Sequence, residues 1–445
     1  MALTIEKQAQ QSNGSTGANG TRADTEFPTP YLGRSVRIVG PHVNVDMNQS
    51  PHPKNQRGEL GKPLFNWYRN TVSKDALTRV SAPNHFADRR HFLTNVINRS
   101  SKGKINPQKV AVDDPAAMTR HIKAVALYMG ADVVGIAKAH PDFLYAGSRY
   151  VQDGTAEDAF QQETPQDLVR KFPYIIQATT AWDYNKLQAH RHHIGDSAYH
   201  VSQMKGVLVL KALEGYIKEL GYTALRGVVT PQAAGVAGGI GELGRNGLVI
   251  NKTFGARIHM PDPILTALPL VADEPVDIGV DDFCKICRKC ANTCPTNSIP
   301  FGDKVVFNGI EKYKINWLTC YKLRPYVHDH WGSCLTCAAV CPFTKPNVWW
   351  HTLAVTALHT CPYFARPALV SALKWIDDRF WGVARTNRVR WLGYDSGIKP
   401  GDQACTVAGC TASHEGKSPS GSTVGNVGYY APLKENTNRF VKRDP

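Results

Sequence analysis

Apolar residues recur at helical spacing in two stretches of the chain. The first follows Asp113-Asp114-Pro115, where acidic caps precede a proline at the first helical position, and it ends at Gly130. The second is closed by Gly221. Their apolar positions are Met118, Ile122, Val125 and Met129 in the first stretch, and Met204, Val207, Leu208, Leu213, Ile217 and Leu220 in the second. The pattern predicts two amphipathic helices.

Short apolar runs bounded by polar residues, glycine or proline predict β-strands around these helices. The runs cover residues 132–137, 174–180, 223–229 and 247–251. Because helices alternate with short strands, the sequence predicts a layered core of helices and sheet from about residue 112 to residue 270.

The composition limits the class of protein. The 445 residues are 42% hydrophobic and 20% charged, which is typical of a globular chain with one large core or two fused ones. No run approaches the ~20 apolar residues of a membrane-spanning helix, so we expect no transmembrane segment. Lys and Arg outnumber Asp and Glu by 52 to 37, but they are scattered, and we expect no nucleic-acid partner. The N-terminus lacks a signal-peptide pattern, which favours a cytoplasmic location.

Eight of the eleven cysteines fall between Cys284 and Cys341, and this clustering indicates metal ligation rather than a disulfide scaffold. The run Cys284-Lys-Ile-Cys287-Arg-Lys-Cys290-Ala-Asn-Thr-Cys294-Pro295 has bacterial ferredoxin spacing. In such a run three thiolates bind one [4Fe–4S] cluster, and the fourth reaches a neighbouring cluster. A second cluster is predicted from the run Cys334-Leu-Thr-Cys337-Ala-Ala-Val-Cys341-Pro342, and Cys320 supplies the ligand that this run lacks.

The crossed spacing defines two predicted ligand sets. The cluster 1 set is Cys284, Cys287, Cys290 and Cys341, and the cluster 2 set is Cys320, Cys334, Cys337 and Cys294. Two structural zinc sites are the alternative, disfavoured because zinc sites rarely use closely spaced cysteines closed twice by Cys-Pro. The remaining Cys361, Cys405 and Cys410 have no predicted role.

Two other patterns are weaker. Gly239-Ile-Gly241-Glu242-Leu-Gly244 matches the dinucleotide-binding glycine fingerprint, but a turn and a strand follow it where the fingerprint needs a helix. The histidines between residues 190 and 200 could hold a metal, but their adjacent loop positions favour a surface location. We therefore expect neither a nucleotide nor a histidine-bound metal.

Six short motifs follow one another between about residues 112 and 350. They are Ala131-Asp132-Val-Val-Gly135-Ile136, Leu220-Gly221-Tyr222-Thr-Ala224, Gly239-Ile-Gly241-Glu242-Leu-Gly244-Arg245-Asn246-Gly247, Gly255-Ala-Arg257, Asp282-Phe283-Cys284 and Cys341-Pro342-Phe343-Thr344-Lys345. In this order they resemble the catalytic subunit of corrinoid (B12)-dependent reductive dehalogenases.

The resemblance implies an α/β (α+β) fold with a nitroreductase-like core that binds a base-off corrinoid of cobalamin or norpseudo-cobalamin type. A ferredoxin-like module would hold the two [4Fe–4S] clusters. The implied organisation is a flexible tail (1–30), an N-terminal wrapping segment (31–111), the corrinoid-binding core (112–275), the cluster module (276–350) and a C-terminal segment closing over the core (351–445).

The resemblance also implies site residues. In the family a tyrosine backed by a cation supplies a proton, and Arg257 falls on the cation position. Tyr199 lies one helical turn from the expected tyrosine position and is preferred, with Tyr184 as the alternative acid. Corrinoid contacts are expected in the glycine motif, at Gly239, Gly241, Glu242, Gly244, Arg245 and Asn246.

The predicted function is reductive removal of halide from a small organohalide. The two clusters would pass electrons from an external low-potential donor of ferredoxin or flavodoxin type to the corrinoid, whose low-valent cobalt attacks the carbon–halogen bond. The sequence does not determine the oligomeric state, and a homodimer is one option. One alternative is an epoxyqueuosine reductase-like enzyme acting on tRNA, which usually has Trp and Lys where this chain has Glu242 and Arg245. Another is a non-catalytic iron–sulfur electron carrier.

Overall fold

The computed structural model describes residues 27–66, 104–146, 163–190, 193–324 and 333–381. Contacts divide the chain into two units, Met1–Pro30 and Tyr31–Pro445, and every element named below belongs to the second unit. His192, Cys405 and Cys410 lie outside the described residues, as does most of the predicted tail.

The secondary structure alternates short strands with helices of very different lengths. The strands are β1 (Arg37–Ile38), β2 (Val133–Lys138), β3 (Tyr174–Ala181), β4 (Ala224–Arg226), β5 (Glu242–Leu243), β6 (Val249–Ile250), β7 (Ile258–His259), β8 (Ile264–Thr266), β9 (Val305–Phe307) and β10 (Ile310–Lys312). The helices are α1 (Pro51–Gln56), α2 (Pro115–Tyr128), α3 (Pro165–Lys171), α4 (Tyr184–Leu187), α5 (His193–Glu219), α6 (Pro231–Ala237), α7 (Val280–Ile286), α8 (Lys289–Asn292), α9 (Trp317–Lys322), α10 (Thr336–Ala339), α11 (Trp349–Thr360) and α12 (Arg366–Trp381).

An antiparallel sheet forms the centre of the core. Its strand order is β2-β3-β8-β4, and β7 pairs with the end of β3. Helix α5 packs on β3, β4 and β7, while α6 packs on β2 and β3. The fully buried side chains Ile136, Ile176, Leu210, Leu213 and Ile217 share one apolar cluster between the sheet and these helices.

The two predicted helices are confirmed, with one correction to the buried face of α5. Asp114 caps α2 by accepting from the amides of Ala116 and Ala117. In α5 the buried positions include Leu210, Leu213 and Ile217, whereas Leu208 is 51% exposed. The expectation for Leu208 was wrong because it lies two residues before Leu210, which is about 200° around the helix.

The cluster module combines short helices with a hairpin. It contains α7, α8, α9 and α10, and strands β9 and β10 pair antiparallel. Strand β1 extends this hairpin, with Arg37 opposite Glu311 and Ile38 opposite Ile310. Helix α11 packs on α12, and α12 packs on α7. The predicted fold class is confirmed, and the exact domain boundaries stay a prediction.

No helix within the described ranges has both the length and the apolar character needed to cross a membrane.

Candidate active site and cluster ligands

The eight clustered cysteines lie in or beside the short helices of the module. Every member of the cluster 1 set is buried. In the cluster 2 set Cys294 is buried, but Cys320, Cys334 and Cys337 are only partly buried. The cluster 2 set therefore lies nearer to solvent.

Electrostatic coupling between thiols indicates which cysteines are neighbours. Burial raises the pKa of both Cys341 and Cys320 to about 12. Burial is the largest cause of these shifts. The charges of Cys334 and Cys294 also raise the pKa of Cys320, and the charge of Cys341 also raises the pKa of Cys284. Cys294 thus lies near Cys320, and Cys341 lies near Cys284. The two ligand sets stay a prediction.

Backbone amides donate hydrogen bonds to several of these thiols. The N–H of Arg245 donates to Cys284 Sγ at 3.4 Å, and the N–H of Ser298 donates to Cys294 Sγ at 3.3 Å. An amide donor favours the thiolate, which is the form that binds iron. Crowded, buried thiols with amide donors fit iron–sulfur clusters.

Arg257 directly precedes β7, and its buried guanidinium is held by Trp182, the residue that follows β3. Its residue is 7% exposed, and its Nη1 donates to the carbonyl oxygen of Trp182 at 2.7 Å. The amide of Trp182 donates in return to the carbonyl of Arg257 at 2.8 Å. Burial lowers the pKa of Arg257, and nearby Asp183, Asp132 and Tyr184 oppose that shift. A guanidinium stays charged under these conditions, so the site contains a fixed positive charge.

The two candidate tyrosines lie close to Trp182 or Arg257. The Tyr199 ring on α5 packs edge-on against Trp182 and against His259, with ring centroids 5.5 Å apart in both pairs. Tyr184 begins α4 and belongs to the charged surroundings of Arg257. Within the described ranges neither hydroxyl is hydrogen-bonded to Arg257.

Helix α11 brings His351 to the same region. His351 is 6% exposed, and burial lowers its pKa to about 4, assisted by the positive charges of Lys345 and Arg257. Its imidazole is therefore neutral at neutral pH. Lys345 lies 2.5 Å from Asp377 on α12 and 4.1 Å from the centre of the Trp381 ring.

Three buried polar atoms near Arg257 have no hydrogen-bond partner within the described part of the chain. They are Trp182 Nε1, Arg257 Nε and His351 Nε2. Buried polar groups are normally paired, so an unpaired group calls for an explanation such as a bound ligand. These three atoms fit a site that holds a polar ligand.

The glycine motif is packed against protein. A Cβ atom added to Gly241 would lie 2.1 Å from the carbonyl oxygen of Ile250, and one added to Gly239 would lie 2.6 Å from that of Glu274. The motif therefore needs glycine for close backbone packing.

The polar members of the motif connect the core to the cluster module. Glu242 accepts hydrogen bonds from the amides of Ile278 at 2.7 Å and Val280 at 3.0 Å, at the start of α7. Asn246 Nδ2 donates to the carbonyl of Cys337 at 3.3 Å. The guanidinium of Arg245 donates to carbonyls of the module, including that of Cys284. Their predicted contacts with a corrinoid stay a prediction.

His190 and His200, two of the histidines near the start of α5, are not on the surface, contrary to expectation. His190 is 3% exposed and His200 is 4% exposed. His200 Nε2 lies 2.9 Å from Asp196, and His190 Nδ1 lies 3.1 Å from the hydroxyl of Thr336 in the module. They are buried because α4 and α5 pack against one another and against the module, a long-range contact that local spacing does not reveal.

Comparison with known proteins agrees with this geometry. A family model described as 4Fe-4S dicluster domain matches residues 283–345, which contain all eight clustered cysteines. The tetrachloroethene reductive dehalogenase of Sulfurospirillum multivorans is 29% identical over 264 residues, which is 54% of this chain and 52% of that protein. The protein of the same name from Desulfitobacterium hafniense (strain Y51) is 28% identical over 291 residues, 62% of this chain and 44% of that protein. The chain is a homologue of the reductive dehalogenases.

A solved structure shares the fold of this homologue. It is described as a reductive dehalogenase structure that suggests a mechanism for B12-dependent dehalogenation, and its TM-score is 0.61 at 23% identity. The match covers 79% of this chain and 49% of that one. The chain thus spans about half the length of the curated and solved relatives it matches.

The predicted resemblance and the iron–sulfur module are confirmed, and the dicluster match opposes the zinc alternative. Sequence reasoning missed Trp182, His351 and the interaction of Lys345 with Asp377. Lys345 lay within a quoted motif, but His351 follows the last motif and carries no local signal. Only the packing of α11 reveals its place beside Arg257.

Proposed function

We propose that this chain carries out reductive dehalogenation of an organohalide. The reaction replaces a carbon–halogen bond with a carbon–hydrogen bond, consumes two electrons and one proton, and releases halide. One observation supports this most strongly. The chain is a homologue of reductive dehalogenases, and it combines a dicluster module with a core that buries Arg257.

The two clusters would supply the electrons one at a time. Because Cys320, Cys334 and Cys337 are the more exposed ligands, we place electron entry at cluster 2 and transfer into the core through the buried cluster 1. The predicted external donor of ferredoxin or flavodoxin type fits this direction. We also propose a cytoplasmic location, which would keep the thiols reduced. The identity of the donor and the formation of a homodimer remain proposals.

A corrinoid fits the residues around Arg257. Its rim carries amide side chains, which could pair with the unpaired groups of Trp182, Arg257 and His351. When bound, the corrinoid supplies low-valent cobalt, which is the reductant of the carbon–halogen bond. The protein's own part is to hold the polar ligand, exclude water and deliver a proton.

The proton would come from a tyrosine near Arg257. A phenol can donate a proton at neutral pH, and a nearby guanidinium stabilises the phenolate that remains. Tyr199 lies against Trp182, whose carbonyl holds Arg257, and Tyr184 belongs to the charged surroundings of Arg257. We keep Tyr199 as the proposed donor and Tyr184 as its alternative.

The test is turnover by the anaerobically purified protein after reconstitution with iron, sulfide and a corrinoid. With a reduced viologen as donor, we expect halide release from at least one member of a panel of chlorinated and brominated aromatics and alkenes. tRNA that contains epoxyqueuosine serves as the competing substrate. Conversion of that tRNA without any halide release would replace our proposal by the reductase alternative. Full cluster and corrinoid loading without turnover of either substrate would favour the electron carrier.

A further inference from the structure

Arg245 is the largest fully buried side chain of the described residues, with 1% exposure. Its guanidinium donates to carbonyl oxygens at four short distances. Nε and Nη2 lie 3.0 and 2.7 Å from the carbonyl of Cys284, and Nη1 lies 2.9 Å from that of Pro300 and 2.7 Å from that of Gly302. Its Cζ atom lies 4.2 Å from the centre of the Tyr313 ring. Four hydrogen bonds therefore use most of the five N–H donors of the guanidinium.

No carboxylate forms an ion pair with Arg245 within the described ranges. Two other arginines with mostly buried side chains do have carboxylate partners. Arg366 lies 2.8 Å from Asp277, and Arg226 lies 3.8 Å from Glu214. Burial of a cation costs several kcal/mol unless an opposite charge compensates it, and carbonyl dipoles and a ring face compensate only in part. We therefore expect an anionic group close to Arg245.

The sulfur of Cys284, which is a thiolate when it binds a cluster, lies next to Arg245. The backbone N–H of Arg245 donates to Cys284 Sγ at 3.4 Å, and the side chain of the same arginine holds the carbonyl of Cys284. Four thiolates outweigh the charge of an iron–sulfide core, so a cluster at this position is anionic. It becomes more negative when it accepts an electron.

We propose that Arg245 is the counter-charge of cluster 1 and raises its reduction potential, a proposal that rests on the proposed function only for the presence of that cluster. A fixed positive charge stabilises the reduced cluster more than the oxidised one, because the reduced cluster carries more negative charge. The side chain positions Cys284 and tunes the electron acceptor.

A purely structural role is the competing explanation, because the same hydrogen bonds tie the Pro300–Gly302 turn to α7. Two variants separate the explanations. Arg245→Lys keeps the charge but loses the planar fork, and Arg245→Gln loses the charge and keeps some donors. Arg226→Gln is the matched control, since Arg226 is also largely buried but pairs with Glu214 in the core.

The measurement is an anaerobic redox titration of the reconstituted protein followed by electron paramagnetic resonance, with iron content determined on the same samples. A Cys320→Ser background, which removes a ligand of cluster 2, assigns the signal of cluster 1. We expect Arg245→Gln to lower the potential of cluster 1 so that the ratio of oxidised to reduced cluster rises at least about tenfold at the wild-type midpoint, or about 59 mV for one electron. Arg245→Lys and Arg226→Gln should remain near the wild-type value.

Each outcome decides the proposal. An unchanged potential in Arg245→Gln with full iron content overturns it, and so does an equal shift in Arg245→Lys and Arg245→Gln, because charge would then not matter. If Arg245→Gln fails to assemble cluster 1, Arg245→Lys decides: a retained cluster with near-normal potential supports the proposal, and a lost cluster overturns it. A wild-type chain that binds no iron overturns the proposed function as well.

Discussion

The buried carboxylate of Asp377 offers a sharp test of how the C-terminal helix is held against the cluster module. Asp377 lies on α12 and is 5% exposed. It forms ion pairs with Lys289, between two ligands of the cluster 1 set, and with Lys345, four residues after Cys341. Both lysines are at most 3% exposed, so a single carboxylate balances much of the positive charge buried beside cluster 1.

Asp377→Asn keeps the shape of the side chain and removes its charge. Breaking a buried ion pair by removing one partner typically costs about 3–5 kcal/mol, because the remaining charge stays buried and uncompensated. The neighbouring Asp378 also contacts Lys289, at 3.0 Å, and Lys374, at 2.6 Å, but its side chain is 19% exposed. We expect Asp378→Asn to cost only about 1 kcal/mol, since more exposed pairs are screened by water.

The assay is thermal unfolding of both anaerobic variants, together with the rate at which cluster absorbance is lost after exposure to air. Asp377→Asn should unfold at a clearly lower temperature and lose its clusters faster, because α12 no longer holds the lysines beside cluster 1. Asp378→Asn should resemble the wild type in both measurements. Equal effects of the two substitutions, or a larger effect of Asp378→Asn, would refute the role of the buried charge.

Three further predictions follow from the cluster ligands, the tyrosines and a buried acid. Cys294→Ser should damage the signal of cluster 2 more than that of cluster 1 in electron paramagnetic resonance, and loss confined to cluster 1 would contradict the crossed sets. Tyr199→Phe should lower halide release by ~10² to 10⁴ with unchanged iron content, whereas loss of turnover in Tyr184→Phe alone would make Tyr184 the donor. Burial raises the pKa of Glu242 from 4.5 to about 7. The folded state therefore favours the protonated acid. Protonation of Glu242 contributes about 3 kcal/mol to the free energy of unfolding below pH 4.5, and this contribution is lost as the pH rises through 7. Unfolding temperatures measured across this range should fall in the wild type relative to Glu242→Gln, and parallel curves would rule out a titrating Glu242.

The cysteine ligands illustrate what the sequence determined by itself. Ferredoxin-type ligands lie a few residues apart because the chain between them wraps one cluster, so their spacing is a local property that can be read directly. The same holds for α2, whose cap Asp114, first-turn Pro115 and terminating Gly130 all lie inside the helix or within two residues of its ends. The motifs from residue 131 to residue 345 likewise indicated the similarity to reductive dehalogenases, since their order along the chain is itself sequence information.

Contacts between distant residues were decided by the tertiary structure alone. Arg257 meets Trp182 because β7 pairs with the end of β3, and His351 joins them through α11, almost a hundred residues further along the chain. The sequence indicated that Arg245 mattered, but local pattern could not show that its guanidinium donates to the carbonyl of Cys284. Packing also buried His190 and His200 and exposed Leu208, because burial depends on which elements cover a position. Local spacing fixes which cysteines of one run can bind the same cluster, whereas the closure of long loops fixes which charges are buried together.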